Sequence, residues 1–314
     1  MTMDSVSGIP ARRQLAIGVR GDTGMVRTNN EDSHCALLPP NTPVGVGGVL
    51  AVADGVGGQE GGEIASQIAV DGVANMLGRA AGPADISDVD LPTLLHSAVL
   101  DINRQVFDAA VERQGGAAMA TTLSIAVITG DTLWMGHVGD SRIYLYRNHT
   151  LEQLTPDHSW VAEEVARGAM TAAEAATDRR RNLLTRAVGT AADVDPATLK
   201  SELFPGDTLL LCSDGLYGMV AADRIAAVLG AKQPEEAADI LVNMANTAGG
   251  TDNITAIVAR VLTTDPLPAT AWDGEPSSAT IISSAGEASS SAGGASGMIR
   301  VARWIGRVFR GGGS

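Results

Sequence analysis

Long apolar runs are missing from this chain. Nowhere in its 314 residues do about 18 or more uncharged apolar residues follow one another, so the sequence offers no helix that crosses a bilayer. The amino-terminal stretch also lacks the charged-then-apolar pattern of a signal peptide, and the expected location is the cytoplasm. Cysteine is scarce: Cys35 and Cys212 each sit inside an apolar, strand-like run, which reads as two small core residues rather than a disulfide or a thiolate metal site. Positive charge is short as well, with 22 Lys and Arg against 36 Asp and Glu and a net charge of −14. Recognition of a nucleic-acid backbone needs the opposite balance. An enzyme acting on anions would have to overcome that charge locally, with metal ions or isolated arginines. Two phosphate-binding devices are absent too: the glycines after Asp54 carry no Lys, unlike a nucleoside-triphosphate loop, and there is no cysteine-containing phosphate loop.

What is present suits a globular fold, since 45% apolar residues are ample for a packed core. Strand-like runs come first, "QLAIGVRG" from residue 14, "SHCALL" from 33 and "GGVLAVA" from 47, the last apolar on both faces. Helical spacing follows from near Gly62, through Ile64, Ile68, Val73 and Met76, and again from about Leu91 to Glu112. "TTLSIAVITG", "TLWMGHVGDS" and "RIYLYRN" are short strands separated by Gly-Asp turns. Residues 159 to 182 carry no strand signal and read as a short helix and a mobile excursion. Strands at "ATLKSELF", "DTLLLCS" and "NITAIVARVL", with helices over 221–230 and 234–248, complete the pattern. Blocks of strands and blocks of helices without strict alternation favour an antiparallel α+β sandwich over a doubly wound parallel sheet.

Composition changes near residue 264. Residues 264–297 are a Ser/Ala/Gly-rich stretch that cannot bury enough to fold and reads as a disordered linker. Residues 298–314 begin with "MIRVARWIGRVFR", which sets Arg300, Arg303, Arg307 and Arg310 opposite Val301, Trp304, Ile305 and Val308. A basic amphipathic segment of this kind suits an anionic membrane surface or an acidic protein partner; a frayed Arg-rich tail has the same pattern.

Chemistry gathers at five aspartates, each beside a turn residue at the end of an apolar run: Asp32 in "NNED", Asp54 in "VADG", Asp140 in "HVGDSR", Asp214 in "LCSDGL" and Asp252 in "GGTDNIT". One such Asp is usually a turn former. Five call for more, because clustered carboxylates repel unless cations sit between them, and an all-oxygen site for Mg2+ or Mn2+ is expected. Glycine after Asp54 allows a main-chain carbonyl to join such a site.

In order along the chain, "RTNNED", "ADGVGG..GGE.AS", "ATTL", "GHVGDSR.Y", "LT.DHSWV", "LTRAVG", "GDTLLLCSDGL" and "GGTDNIT..V" closely resemble the metal-dependent type 2C protein serine/threonine phosphatases in their bacterial form. The resemblance spans residues 14 to 262, with 1–263 as the catalytic domain. It implies a four-layer α-β-β-α sandwich of two mainly antiparallel sheets flanked by helices. It also implies hydrolysis of phosphoserine and phosphothreonine monoesters by in-line attack of a water bridging two Mn2+ or Mg2+ ions, opposing bacterial Ser/Thr kinases. By resemblance Asp54, Gly55, Asp214 and Asp252 hold the two core ions, Asp32 acts through water, Asp140 with Asp214 takes a third, looser ion, and Arg27 grips the phosphate. Physical chemistry agrees: two divalent ions about 3.5–4 Å apart lower the pKa of a shared water and offset charge on the attacking and leaving oxygens. A guanidinium fork holds two phosphate oxygens and stays charged inside an acidic cleft. On spacing alone, a surface salt bridge of Arg27 with Glu31 or Asp32 ranks ahead.

Two departures from the family pattern stand out. Gln59 occupies a position where relatives often have a His proposed to protonate the leaving alcohol, and Gln cannot serve as a general acid. His137, an alternative acid, lies in a strand run and reads as structural; His158 reads as a loop residue. "TDRRRN" adds three consecutive arginines, better read as a solvated face than as a docking patch. The rival reading is a catalytically silent, phosphatase-like binding module, against which the retained Asp54, Asp214 and Asp252 count strongly. A phosphatase for small metabolites would differ only around the cleft. Nothing in the sequence demands more than a monomer.

Overall fold

The computed structural model describes residues 14–57, 61–78, 85–86, 89–113 and 119–262. Alternation in one strand sets the architecture. In β3 (Val46–Gly57) Val49, Ala51 and Ala53 face one way and Leu50 and Val52 the other, all fully buried. A strand buried on both faces has to be covered twice. Helices α1 (Gly61–Leu77) and α2 (Leu91–Glu112) cover the first face through Ala65, Ala69, Val73, Leu95, Val99 and Ile102. The second face meets another sheet.

That first sheet runs β1 (Leu15–Asp22), β11 (Ile254–Val261), β10 (Thr208–Cys212), β7 (Arg142–Arg147), β8 (Thr150–Gln153). The second runs β2 (Asp32–Leu37), β3, β5 (Leu123–Thr129), β6 (Thr132–Val138), β9 (Ala197–Glu202), with β4 (Met119–Thr121) on the end of β3. All these strand pairings are antiparallel. Between the sheets lie Leu50, Val52, Ile128 and Met135 from one side and Leu209, Leu211, Ile257 and Ala259 from the other. The outer face of the first sheet, with Leu210, Cys212, Ala256 and Val258, is covered by α5 (Asp214–Tyr217), α6 (Ala222–Ala231) and α7 (Pro234–Thr247). The result is the α-β-β-α sandwich expected from the resemblance.

Between residues 159 and 182 the chain forms two short helices rather than one, α3 (Trp160–Ala166) and α4 (Ala172–Thr177). Local capping accounts for the second: the Thr171 hydroxyl accepts from the Glu174 N–H while the Glu174 carboxylate accepts from the Thr171 N–H. Cys35 and Cys212 are free and buried. Among the described residues no helix is long and apolar enough to cross a membrane. Gln59, the linker expected over 264–297 and the basic segment 298–314 lie outside the described residues.

Candidate active site and metal centre

Strand register brings the first two carboxylates together. Asp32 opens β2 and Asp54 lies in β3, and the two are directly paired across the ladder. Asp54 is held by its backbone, whose N–H donates to Thr122 Oγ1 at 2.8 Å and whose carbonyl accepts from the Thr122 N–H at 2.9 Å. Gly55 is required by close approach: a Cβ there would overlap the carbonyl oxygens of Gly62 and Glu31. The start of α1 is thereby pressed against the Asp54 strand end.

The other sheet supplies Asp214, the first residue of α5 after β10, and Asp252, just before β11. Ser213 joins the two sheets. Its hydroxyl donates to Asp32 Oδ2 at 2.6 Å and accepts from the Thr255 N–H at 3.0 Å. Gly215 repeats the close approach seen at Gly55, since a Cβ there would overlap the Asn253 carbonyl. Asp140 follows β6 in a turn held from the far side. Tyr217 donates its phenol to the Asp140 carbonyl at 2.9 Å, and the Arg142 guanidinium lies 3.6 Å from the Tyr217 ring centre. Arg142 itself is fixed by a two-point bond to Asp157, at 2.9 and 2.6 Å.

Four of the aspartates are raised by burial, and the charge of one or more of the others acts on each. Burial, and then the charges of Asp32, Asp214, Asp140 and Asp252, hold Asp54 well above the ordinary carboxylate range. Burial pushes Asp32 up to about 7 against the Ser213 hydrogen bond, with Asp214 and Asp252 adding to the rise. Asp140 is raised by burial and by Asp214, and Asp214 is pushed up to about 6 by burial and Asp252, opposed by Arg27, Arg142 and Arg181. Carboxylates that raise one another in this way would each be favoured as anions by a cation placed between them. The fit to a hard cation is supported by Asp32 Oδ1, which is buried with no hydrogen-bond partner; Thr255 stands near it, outside hydrogen-bond geometry. Among the described residues no three His, Cys, Asp or Glu side chains close on one point as a ready-made cage. A cation that keeps several of its own waters needs only one or two carboxylates, so the open arrangement suits Mg2+ or Mn2+ better than a fully dehydrated ion.

Arg27 stands at the rim, half-exposed. Its Nη2 donates to Asp252 Oδ2 at 2.8 Å, which replaces the local salt bridge with Glu31 or Asp32 expected from spacing; the partner is 225 positions away in sequence. Asn253, which sequence reasoning did not single out, builds the loop that carries Arg27. Its Nδ2 donates to the carbonyls of Thr23 and Asn29 at 2.9 and 2.8 Å, and its Oδ1 accepts from the Glu31 N–H at 2.7 Å. Its place beside Asp252 was the only signal available. Glu31 is pushed up to about 7 by burial, against the nearby charge of Arg27.

His137 is buried, with Nδ1 facing Ser124 Oγ and Nε2 facing the Pro156 carbonyl, each at 2.9 Å, a structural role as expected. His158 lies on a loop yet is also buried; its Nδ1 accepts from the Gly139 N–H and its ring packs on His137. Of the three consecutive arginines, Arg180 pairs with Asp178 and stacks on Trp160 at 3.5 Å. All three are exposed.

The profile of the protein phosphatase 2C family matches residues 28–259, and the chain belongs to that family. The serine/threonine phosphatase stp of Listeria monocytogenes is 35% identical over 241 residues, covering 76% of this chain and 93% of that protein. Among solved structures, the serine/threonine phosphatase Stp1 from Staphylococcus aureus has a TM-score of 0.74 at 29% identity, covering 83% of this chain and all of that one. The catalytic domain of the serine/threonine protein phosphatase PstP in complex with two manganese ions gives 0.68 at 35% identity, covering 80% of this chain and all of that one.

Proposed function

We propose that this chain is a metal-dependent protein serine/threonine phosphatase that hydrolyses phosphoserine and phosphothreonine monoesters by in-line attack of water on phosphorus. The observation that carries the reading is the direct Asp32–Asp54 strand pair, with a buried, unpartnered oxygen on Asp32 and the charges of Asp140, Asp214 and Asp252 acting on Asp54, beside a half-exposed arginine. Asp54, the Gly55 carbonyl, Asp214 and Asp252 are assigned to two core ions, Asp32 to a water of their shell, and Asp140 with Asp214 to a third ion. Bound Mn2+ or Mg2+ supplies charge neutralisation and a water acidic enough to lose its proton near neutral pH.

The protein's own groups do the rest. Arg27 places one Nη2 hydrogen on Asp252, which leaves the Nη1 edge, with the second Nη2 hydrogen, to donate to phosphate oxygens and orient the phosphorus for in-line attack. Ser213 holds Asp32 by one oxygen only, so the other stays turned to the site. Gln59 cannot give up a proton, and the leaving alkoxide is protonated by water. The substrates are phosphoproteins made by Ser/Thr kinases of the same cytoplasm, met by a monomer. Residues 298–310 contribute a contact with an anionic membrane face or an acidic protein, on the strength of their amphipathic arginine pattern.

Mn2+-dependent phosphate release from a phosphothreonine peptide, compared between the native chain and Asp214→Asn, tests the reading, with Mn2+ binding followed by calorimetry. Turnover lost together with a Mn2+ site supports it. Native protein that binds Mn2+ and releases no phosphate would make the chain a silent binding module.

A further inference from the structure

Two large apolar side chains stand in water beside the phosphate-gripping arginine. Met25 and Val26 immediately precede Arg27 and are 69% and 64% exposed. They are not on a loose loop. The Met25 N–H donates to the Gly250 carbonyl at 2.7 Å, and Gly24 lies so close to Asp252 that a Cβ would overlap its carbonyl oxygen. The apolar surface continues from there. Met25 lies over Gly250, its Cγ 2.9 Å from where a Cβ would stand, and the next residue, Thr251, reaches Met219 Sδ at 3.9 Å. Met219 in turn opens a groove of about 590 Å3 lined by Val220, Ile240 and Met244, in which Arg224 is the one charged side chain. Arg224 makes no ion pair among the described residues.

We infer that this strip, from Arg27 over Met25 into the Met219–Met244 groove, is a docking track for the polypeptide of the phosphorylated substrate. The inference rests on the phosphatase reading. A peptide whose phosphate sits on Arg27 has to leave the site across a neighbouring surface, and this one offers exposed apolar side chains joined to the groove through Thr251. Thioethers adapt to varied side chains, so the groove takes an unbranched or aromatic residue at a distance from the phosphoresidue rather than one fixed sequence. Arg224 favours an acidic neighbour for that residue.

The test uses the full chain and a series of phosphothreonine peptides identical except for one Phe moved along either side of the phosphoresidue, with a small aryl phosphate as control. One Phe position is expected to raise kcat/KM about tenfold, through KM, as burying an aromatic side chain predicts. Met244→Lys and Asn243→Tyr, the second an exposed residue that fills the groove, should each abolish that preference and leave aryl phosphate turnover unchanged. Equal kcat/KM across the peptides, or a preference that survives both variants, overturns the track. Faster peptide turnover in the variants also overturns it, because the groove then holds another part of this chain or a second copy. Fluorescence anisotropy of the same peptides reads the track even without turnover: affinities indifferent to the Phe position refute it, whereas position-dependent affinity without hydrolysis refutes the phosphatase reading alone.

Discussion

Asp32 and Asp54 face each other across β2 and β3 as a direct cross-strand pair of like charges. Such a pair is destabilising in any sheet. Arg27, at the rim of the site, is committed to Asp252 instead. The strand register therefore builds in a repulsion that a divalent ion held between the two would relieve.

Chelation should lower thermal stability accordingly. With Mn2+ in hundredfold excess over its dissociation constant, linkage gives about 2.7 kcal/mol of stabilisation. Calorimetric unfolding with Mn2+ and with a chelator reads this directly, and identical midpoints would count against a cation at the carboxylates. Asp54→Asn removes half of the repelling pair and should shrink the difference between the two conditions.

Arg27→Ala should lower kcat/KM for an aryl phosphate roughly ten- to a hundredfold, the loss expected for hydrogen bonds to a charged group. Mn2+ affinity should change little. Arg27→Lys should recover only part of the loss, because an ammonium lacks the planar fork. Full recovery by Lys would show that charge alone is needed.

Asn253→Ala deletes three hydrogen bonds to the loop that presents Arg27. At about 1 kcal/mol each, stability should fall by about 3 kcal/mol, read from the urea midpoint. The KM for phosphopeptide should rise as the loop loosens. A variant of unchanged KM and stability would mean that Arg27 is positioned by its Asp252 pair alone.

His137 gives a pH signature. Burial holds it down to about 4 and holds His158 down to about 3; Asp157 and the carbonyls of Pro156 and Gly139 oppose the shift at His137, while Arg186 lowers both. Below the ordinary imidazole value near 6.5 the unfolded chain binds protons that the folded chain refuses. The stability tied to neutral His137 is therefore complete above that pH and drains away as pH falls toward 4. Relative to His137→Gln, the native chain should lose about 2 kcal/mol between pH 7 and pH 5. A difference independent of pH would show that folding leaves the His137 imidazole unshifted, and a native chain that gains stability as pH falls would show that His137 is charged in the fold.

Much of the framework was readable because burial leaves a period in the sequence. The two-faced run ending at Asp54 became β3, and the helical spacing from Leu91 to Glu112 became α2 with those same ends. Short elements left no such trace. β8 is largely exposed and exists through its pairing with β7, across a turn in which Asn148 and His149 both take positive φ without the glycine that marks most such turns. The one-turn α5 has too few residues for a period. Each site aspartate could be nominated from its own turn, and five together pointed to a cation site, but the contacts that hold them could not be read: Asp32 and its link to Ser213 are 181 positions apart. The Arg27 partner failed for the same reason, since spacing sees only neighbours in the chain.

The first and last strands of the sandwich are hydrogen-bonded to each other along their whole length, Leu15 opposite Val261 through Asp22 opposite Ile254. β11 also separates β1 from β10, so one sheet has no continuous middle until the final strand arrives. On the ribosome, β1 cannot join its sheet until residues 254–261 have cleared the exit tunnel. Asp252 enters with that strand. A nascent chain without that strand thus lacks one of the five aspartates and the partner of Arg27.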